Sequence, residues 1–359
     1  MHEISRPPRN DTKRIMNRQI SYAQAISEAL VQGMEADPNV FLFGLGVDDC
    51  KGIFGTTIEA TKRFGASRVF DVPASEGALT GIAIGAALNG KHPILVHARH
   101  DFMFLALDQM INNAAKWKYT YAGKSNVGLT IRAIIGKGWG QGPTHSQNLQ
   151  AILAHFPGLI VAVPSNAFDI KGTTLQALDQ KNPVVIIEHR SLYDLKMPVP
   201  QEPYRLAFGK ARISRPGRDV TVVATSVMVP EALRAAYILS EFGIQLEVID
   251  PVTLQPLDEL TILNSVKKTG RLICADGDWL NCSFASEVAA RVADKAFHDL
   301  KAPIKRIGWA ECPAPVSKTL EDAFYPTHKH IINAVLEILD KPKLSIPDVE
   351  IKDTFVGPY

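Results

Sequence analysis

Glu76 is the carboxylate whose sequence surroundings most favour proton chemistry. It follows the strand-like run Arg68-Val69-Phe70-Asp71-Val72, which ends at Pro73, and it opens an apolar helical stretch containing Ala78, Leu79, Ile82 and Ala83. A carboxyl desolvated among such residues has a raised pKa and can hold or donate a proton near neutrality. An acid in a first helical turn is equally an ordinary response to the helix dipole. His145 lies in Pro143-Thr144-His145-Ser146-Gln147, just after Gly136-Lys137-Gly138-Trp139-Gly140-Gln141-Gly142. An imidazole there can transfer a proton or touch substrate, or it can simply face solvent. His97, Arg99 and His100 crowd the end of another apolar run and could bind an anion, unless Asp101 or Asp108 pairs with them. The glycine-rich stretch reads as a close-approach loop or as a lid facing a ligand.

The familiar nucleotide and hydrolase signatures do not occur: there is no GxxxxGK[ST], no GxGxxG after the first strand, no HExxH and no GxSxG. No set of His, Cys, Asp and Glu has metal-ligand spacing. Asp276-Gly277-Asp278 with Asn281 bears only a faint likeness to a diphosphate–metal motif.

These residues need a scaffold, and the hydrophobic pattern supplies one. From Ser21, which forms a capping-box pattern with Gln24, residues Ile26, Ala29, Leu30, Gly33 and Met34 fall on one helical face. Short apolar runs at Val40–Phe43, Arg68–Val72, Pro93–His97, Val127–Ile135, Leu159–Val163 and Asn182–Ile187 predict strands, and Phe102–Tyr119 predicts one long helix. Residues 196–218, with Pro198, Pro200, Pro203 and Pro216, read as a linker. Alternation then resumes: strands at Val220–Thr225, Gln245–Ile249, Leu272–Ala275 and Ile304–Ile307, and helices at Pro230–Phe242, Ser286–Leu300 and His330–Leu339. The fold class is therefore α/β, two doubly wound, mostly parallel-sheet domains joined by a Pro-rich linker. The expected boundaries are an arm at 1–19, domains at 20–195 and 219–340 and a tail at 341–359.

The chain has 359 residues, enough for about two domains. With 46% hydrophobic and 21% charged residues and a net charge of +2, disorder, collagen and coiled coil are excluded, and no nucleic-acid or membrane partner is expected. Cys50, Cys274, Cys282 and Cys312 are scattered, which fits a reducing, cytoplasmic setting. The arm holds five basic and two acidic residues with no apolar signal core after them.

Several ordered segments resemble one family. Asp71-Val72-Pro73-Ala74-Ser75-Glu76-Gly77 matches a D-x-P-x-S-E signature. Asp101-Phe102, then Asp108-Gln109-Met110-Ile111-Asn112 and Ala114-Ala115-Lys116, match a DF…DQ-[IVM]-x-N-x-A-A-K helix. His145-Ser146-Gln147, His155-Phe156-Pro157-Gly158-Leu159, and Asn182-Pro183-Val184 through Glu188-His189 continue the series. Over about residues 20 to 340 the chain is similar to the beta subunit of two-component, thiamin-diphosphate-dependent 2-oxo-acid dehydrogenases of the transketolase-like superfamily.

The resemblance implies roles. Glu76 would contact the cofactor's pyrimidine ring and hold the proton that favours its imino tautomer, the step that makes the thiazolium carbon nucleophilic. Phe102 would stack on the pyrimidine, with Leu45 and Ala98 beside the cofactor, and His145 would assist substrate binding or acyl transfer. The backbone carbonyls of Leu129, Ala177, Gln180 and Asn182 match a potassium site of similar subunits. The family's GDG…N site for diphosphate and magnesium has no counterpart here. An alpha subunit would supply it, with active sites shared in an α2β2 tetramer.

Two departures bear on the reaction. Gly44-Leu45-Gly46-Val47 lacks the acid usual after the first strand's glycine, and His97-Ala98-Arg99-His100 replaces a largely apolar approach. A more basic mouth points to a different donor or acceptor, phosphorylated or sugar-derived. The expected function is decarboxylation or cleavage of a 2-oxo acid or ketose-type donor with transfer of the acyl or ketol unit. Coupling to a lipoyl acyltransferase, a transketolase-like carboligase without lipoamide, and a non-catalytic beta-like partner stay open as alternatives.

Overall fold

Runs of β-branched and aromatic residues, cut by glycine and proline turns, build two large sheets and a two-stranded one. The computed structural model describes residues 18–137 and 140–344. The first half forms β1 (Gln19–Ser21), α1 (Tyr22–Ala36), β2 (Val40–Gly44), α2 (Ile58–Phe64), β3 (Val69–Phe70), α3 (Glu76–Leu88), β4 (His92–His97), a helical run α4 over residues 100–120, β5 (Thr130–Ile135), α5 (Gln150–His155), β6 (Ile160–Ala162), α6 (Ala167–Leu178), β7 (Val184–His189) and β8 (Lys196–Pro198). The second half forms β9 (Arg212–Arg215), β10 (Val220–Ala224), α7 (Met228–Ser240), β11 (Leu246–Asp250), β12 (Thr253–Gln255), α8 (Glu259–Thr269), β13 (Leu272–Trp279), α9 (Phe284–Lys295), β14 (Lys305–Trp309), α10 (Lys318–Phe324) and α11 (His328–Ile338).

The larger sheet has seven strands in the order β12-β6-β7-β5-β4-β2-β3. Its strands from β2 to β7 run parallel, while β12 is antiparallel to β6. Every residue of β4, β5 and β7 is buried, as a parallel sheet covered by helices on both faces requires. The five-stranded sheet, β14-β13-β10-β11-β9, is parallel except for its edge strand β9. This is the two-sheet α/β architecture expected from the sequence. One apolar cluster runs through both halves, from Leu95, Ile131 and Ile187 to Val223, Ile249 and Cys274. Each such side chain stabilises the fold by roughly 1.5–3 kcal/mol when fully buried.

The capping box forms, with Ser21 Oγ accepting from Gln24 N at 3.2 Å and Gln24 Oε1 accepting from Ser21 N at 2.9 Å. The residues 196–218 carry two strands, β8 paired with β1 and β9 on the edge of the second sheet. β12 belongs by sequence to the second half yet completes the first sheet. The single regular helix expected from Phe102 to Tyr119 is instead composite. It is α-helical at His100–Met103, tightens to a 3₁₀ turn at Phe104–Ala106, widens to a π-helix at Asp108–Ala114 and is α-helical again at Ala115–Thr120. Apolar periodicity does not distinguish these neighbouring registers, so the change is invisible in the pattern. Gly158 lets the turn before β6 press on that run: its φ is +101°, and a Cβ there would lie 1.9 Å from the Ala115 carbonyl oxygen. The arm up to residue 17 and the tail from residue 345 lie outside the described residues. Among the described residues no helix is long and apolar enough to cross a membrane.

Candidate active site

In a parallel sheet, ligands gather beyond the carboxyl ends of the strands. Here the segments after β2, β4, β5 and β7 surround one open cavity of about 1,080 Å³. Leu45 follows β2, Ala98, Arg99 and Phe102 follow β4, Gln141 and His145 follow β5, and Arg190 follows β7, and all of them line it. A second cavity of about 500 Å³, lined by His155, Cys282 and Arg291 among others, lies elsewhere.

Phe102 and His145 meet edge to face, with ring centroids 5.3 Å apart and planes at 90°. Phe102 keeps 40% of its surface exposed, an available flat face. Asp101 holds the two segments in place: its Oδ1 accepts from Gln147 N at 3.1 Å and from Gln147 Nε2 at 3.0 Å. Burial pushes the Asp101 carboxyl up, and the Gln147 hydrogen bonds oppose that shift. Thr144 Oγ1 lies 2.9 Å from His145 Nδ1. Gly136 is required for the loop's return, because a Cβ there would come 2.6 Å from the His145 carbonyl oxygen. The second domain grips the same loop, with Gly140 N donating to Glu321 Oε1 at 3.2 Å and Lys137 Nζ lying 5.1 Å from the Tyr325 ring centroid.

Glu76 opens α3 and is half-buried, without lining the cavity. Its helix packs beside the 3₁₀ turn that follows Phe102, where Gly77 faces the Leu105 carbonyl oxygen. The apolar shell foreseen around it is only partly closed, since Ala78 and Ile82 are exposed, Ile82 by 61%. Asp71 of the same motif acts on the backbone, its Oδ1 accepting from Gly46 N at 2.7 Å and Val72 N at 2.8 Å. It thereby fixes the turn that presents Leu45.

The expected basic cluster needs correction. His97 and His100 are buried, and desolvation lowers their pKa values to about 4 and about 3, with His97 adding to the effect on His100. Both rings are neutral near pH 7 because burial disfavours the cation. Of the three residues only Arg99 brings charge to the cavity. The positive charge there comes instead from Arg99, Arg190 and Lys51. Arg190 and Phe54 were missed in the sequence. Arg190 directly follows a strand that ends at the ligand edge, and Phe54 sits in Gly52-Ile53-Phe54-Gly55, a glycine-framed aromatic; strand-end position and glycine framing are the signals that mark them.

Beneath the cavity, Arg132 of β5 and Glu188 of β7 form a fully buried ion pair. Arg132 Nε donates to Glu188 Oε1 at 2.5 Å and its Nη2 to Oε2 at 2.9 Å, while Tyr193 Oη donates to Oε2 at 2.7 Å. Arg132 Nη2 also donates to Thr56 Oγ1 at 3.0 Å, and that hydroxyl donates to the Ile53 carbonyl at 2.9 Å.

These residues suit one end of a thiamin cofactor: an exposed aromatic face in a cavity of adequate size, with a half-buried carboxylate on the helix packed beside the following turn. They do not suit the diphosphate end. Among the described residues no group of three or more His, Cys, Asp or Glu could hold a metal ion. Asp276-Gly277-Asp278 is built into β13, where Asp276 accepts from Thr225 Oγ1 and Gln150 Nε2, both at 2.5 Å, and Gly277 O accepts from Asn148 Nδ2 at 2.8 Å. The carbonyl-bearing residues Leu129, Ala177, Gln180 and Asn182 lie around the end of α6 and the start of β7. Leu129 O accepts from Val184 N at 2.8 Å and Ala177 O from Gln180 N at 3.1 Å. Both of these carbonyls keep a second lone pair, and Ala177 lies in the last turn of α6, at the negative end of its dipole.

Comparison with known proteins gives a consistent picture. Residues 18–196 match the family model described as "Transketolase, pyrimidine binding domain", and residues 209–331 match "Transketolase, C-terminal domain". The chain is 42% identical over 342 residues to the acetoin:2,6-dichlorophenolindophenol oxidoreductase subunit beta of Bacillus subtilis, covering 92% of this chain and 100% of that one. It is 34% identical over 323 residues to the pyruvate dehydrogenase E1 component subunit beta of the same organism, covering 90% and 99%. Among solved structures, "Split gene transketolase, inactive beta4 tetramer" has the same fold, with a TM-score of 0.73 at 23% identity over 89% of this chain and 98% of that one.

Proposed function

The chain belongs to the transketolase-like family that includes the beta subunits of acetoin and pyruvate dehydrogenases, and on that premise we propose that it is the beta half of a thiamin-diphosphate enzyme. With an alpha subunit it cleaves a 2-oxo acid or ketol donor and passes on the acyl unit. The observation that carries this reading is the edge-on pair of Phe102 and His145 in a cavity at the carboxyl edge of the parallel sheet.

Thiamin diphosphate, when bound, supplies a carbon nucleophile for the donor's carbonyl. The chain's own residues then have distinct tasks. Glu76 holds a proton at the pyrimidine ring nitrogen, and Phe102 offers that ring a flat apolar face. His145 exchanges a proton with the reacting oxygen of the donor. Leu45 and Ala98 keep water from the wall beside the cofactor. Diphosphate and magnesium fall to the alpha subunit, in an α2β2 assembly with the active site at the shared boundary. The carbonyls of Leu129, Ala177, Gln180 and Asn182 are suited to potassium, which would tie α6 to β7.

A transketolase-like carboligase not coupled to a lipoyl acyltransferase is the second reading, and the cationic lining of the cavity favours it. The decisive experiment pairs this chain with an alpha subunit bearing a GDG…N motif. Calorimetry should find magnesium-dependent thiamin diphosphate binding by the pair and none by this chain alone. Glu76→Gln should lower turnover of the pair by about 10²- to 10⁴-fold. Full turnover by that variant would sink the proposed role. Assays with lipoamide and with aldehyde acceptors separate the two readings.

A further inference from the structure

The residues that line the cavity belong to the first half of the chain, the last of them being Arg190. Yet the segment that carries His145 is anchored from the second half on both sides. Five positions before His145, Gly140 N donates to Glu321 Oε1 at 3.2 Å, and Glu321 is a buried residue of α10. Three positions after it, Asn148 Nδ2 donates to the Gly277 carbonyl oxygen of β13 at 2.8 Å. Gln150 extends this second anchor, its Nε2 donating to Asp276 Oδ1 at 2.5 Å.

The anchors are directional. Asn148 is buried, and its amide is oriented by a further bond in which Oδ1 accepts from Gln150 N at 3.2 Å. Between the anchors Gly142 turns with φ at +70°, and its carbonyl oxygen accepts from His145 N at 3.4 Å. Val316 of the second half abuts that turn, its Cγ2 lying 2.8 Å from where a Gly142 Cβ would be. From the first half, Asp101 holds the segment on the later side of His145, through Gln147. A misplacement of about 1 Å at a reacting group can cost about 10²-fold in rate, so such anchors bear on turnover as well as on stability.

We propose that Glu321 and Asn148 are positioning residues for His145, and that the second domain thereby sets the rate of proton exchange at a site it does not line. This deepens the proposed function and rests on it for the catalytic role of His145. Cofactor affinity is separate from these anchors, because Glu76 and Phe102 sit on α3 and α4 of the first half.

The test uses the reconstituted alpha–beta complex with pyruvate or hydroxypyruvate as donor, whichever turns over faster, and ferricyanide as electron acceptor. Glu321→Leu removes the acceptor of the Gly140 N–H and should lower kcat about tenfold or more, with KM and thiamin diphosphate affinity within about threefold. Glu321→Gln keeps a carbonyl oxygen there and should recover most of that loss. Asn148→Ala should act as Glu321→Leu does, and it gives an independent arm if Glu321→Leu fails to assemble. In a His145→Ala background Glu321→Leu should lower kcat less than about twofold, because effects that pass through one group are not additive. An equal loss in both backgrounds would overturn the proposal and leave Glu321 with a purely structural role. Amide exchange over residues 140–150 reads the anchors without catalysis and should quicken in both single variants. Unchanged exchange in both would likewise overturn the proposal. Should neither donor turn over, or His145→Ala keep full turnover, the catalytic reading has failed, and the exchange result alone decides whether the anchors hold the segment.

Discussion

His145 presents its ring at 90° to that of Phe102, 5.3 Å away, although 43 positions separate the two in the chain. The contact depends on the hydrogen bonds from Gln147 to Asp101, which tie the loop after β5 to the start of α4. Phe102 is exposed enough that its truncation should cost little stability. Phe102→Ala in the reconstituted complex is expected to weaken thiamin diphosphate about tenfold or more, since an aromatic face contributes both area and stacking. Calorimetric affinity measures this directly. An unchanged affinity would remove Phe102 from the cofactor site.

The Arg132–Glu188 pair concerns stability. Removing one partner leaves the other charge buried and uncompensated, so Glu188→Ala should destabilise the protein by about 3–5 kcal/mol. The double variant Arg132→Met with Glu188→Leu should recover most of that loss, because a well-packed apolar pair avoids desolvating charge. Urea midpoints of the three proteins report it. A double variant as weak as the single one would mean that the bonds to Thr56 and Tyr193 matter more than the ion pair.

Asp278 gives the fold a pH dependence. Burial first, and then the neighbouring Asp276, push its carboxyl up to about 8. In the unfolded chain an aspartate ionises at about 3.9, so across the intervening range the native state keeps a proton that the unfolded state has released. The resulting contribution is present below the unfolded value and is lost as pH rises towards the folded one. A neutral amide at this position imitates the protonated acid. The stability of Asp278→Asn relative to wild type should therefore rise with pH across that window and be level outside it. Denaturation series at several pH values measure the difference. A constant difference throughout would show the carboxyl to be ionised in the native protein.

Much of the fold is local and was legible. Strands such as Val184–His189 announce themselves as apolar runs because a parallel sheet buries both faces, and the capping box at Ser21 needs only residues three apart. The composite helix at residues 100–120 and the insertion of β12 beside β6 were not legible, since register and strand partnership depend on packing rather than on pattern.

The site divides in the same way. By itself, the sequence determined the family and singled out candidates of suitable chemistry: Glu76 at a helix start, Phe102 and His145 in ordered motifs, and the lack of a GDG…N segment. Side-chain type and spacing are local properties. Only the tertiary structure decided which of them carry charge and which meet. Burial from several elements at once neutralises His97 and His100, so the basic mouth moves to Arg99 and Arg190, gathered on Phe54 from the ends of two different strands. Desolvation and convergence are properties of surroundings, and a linear chain does not contain its surroundings.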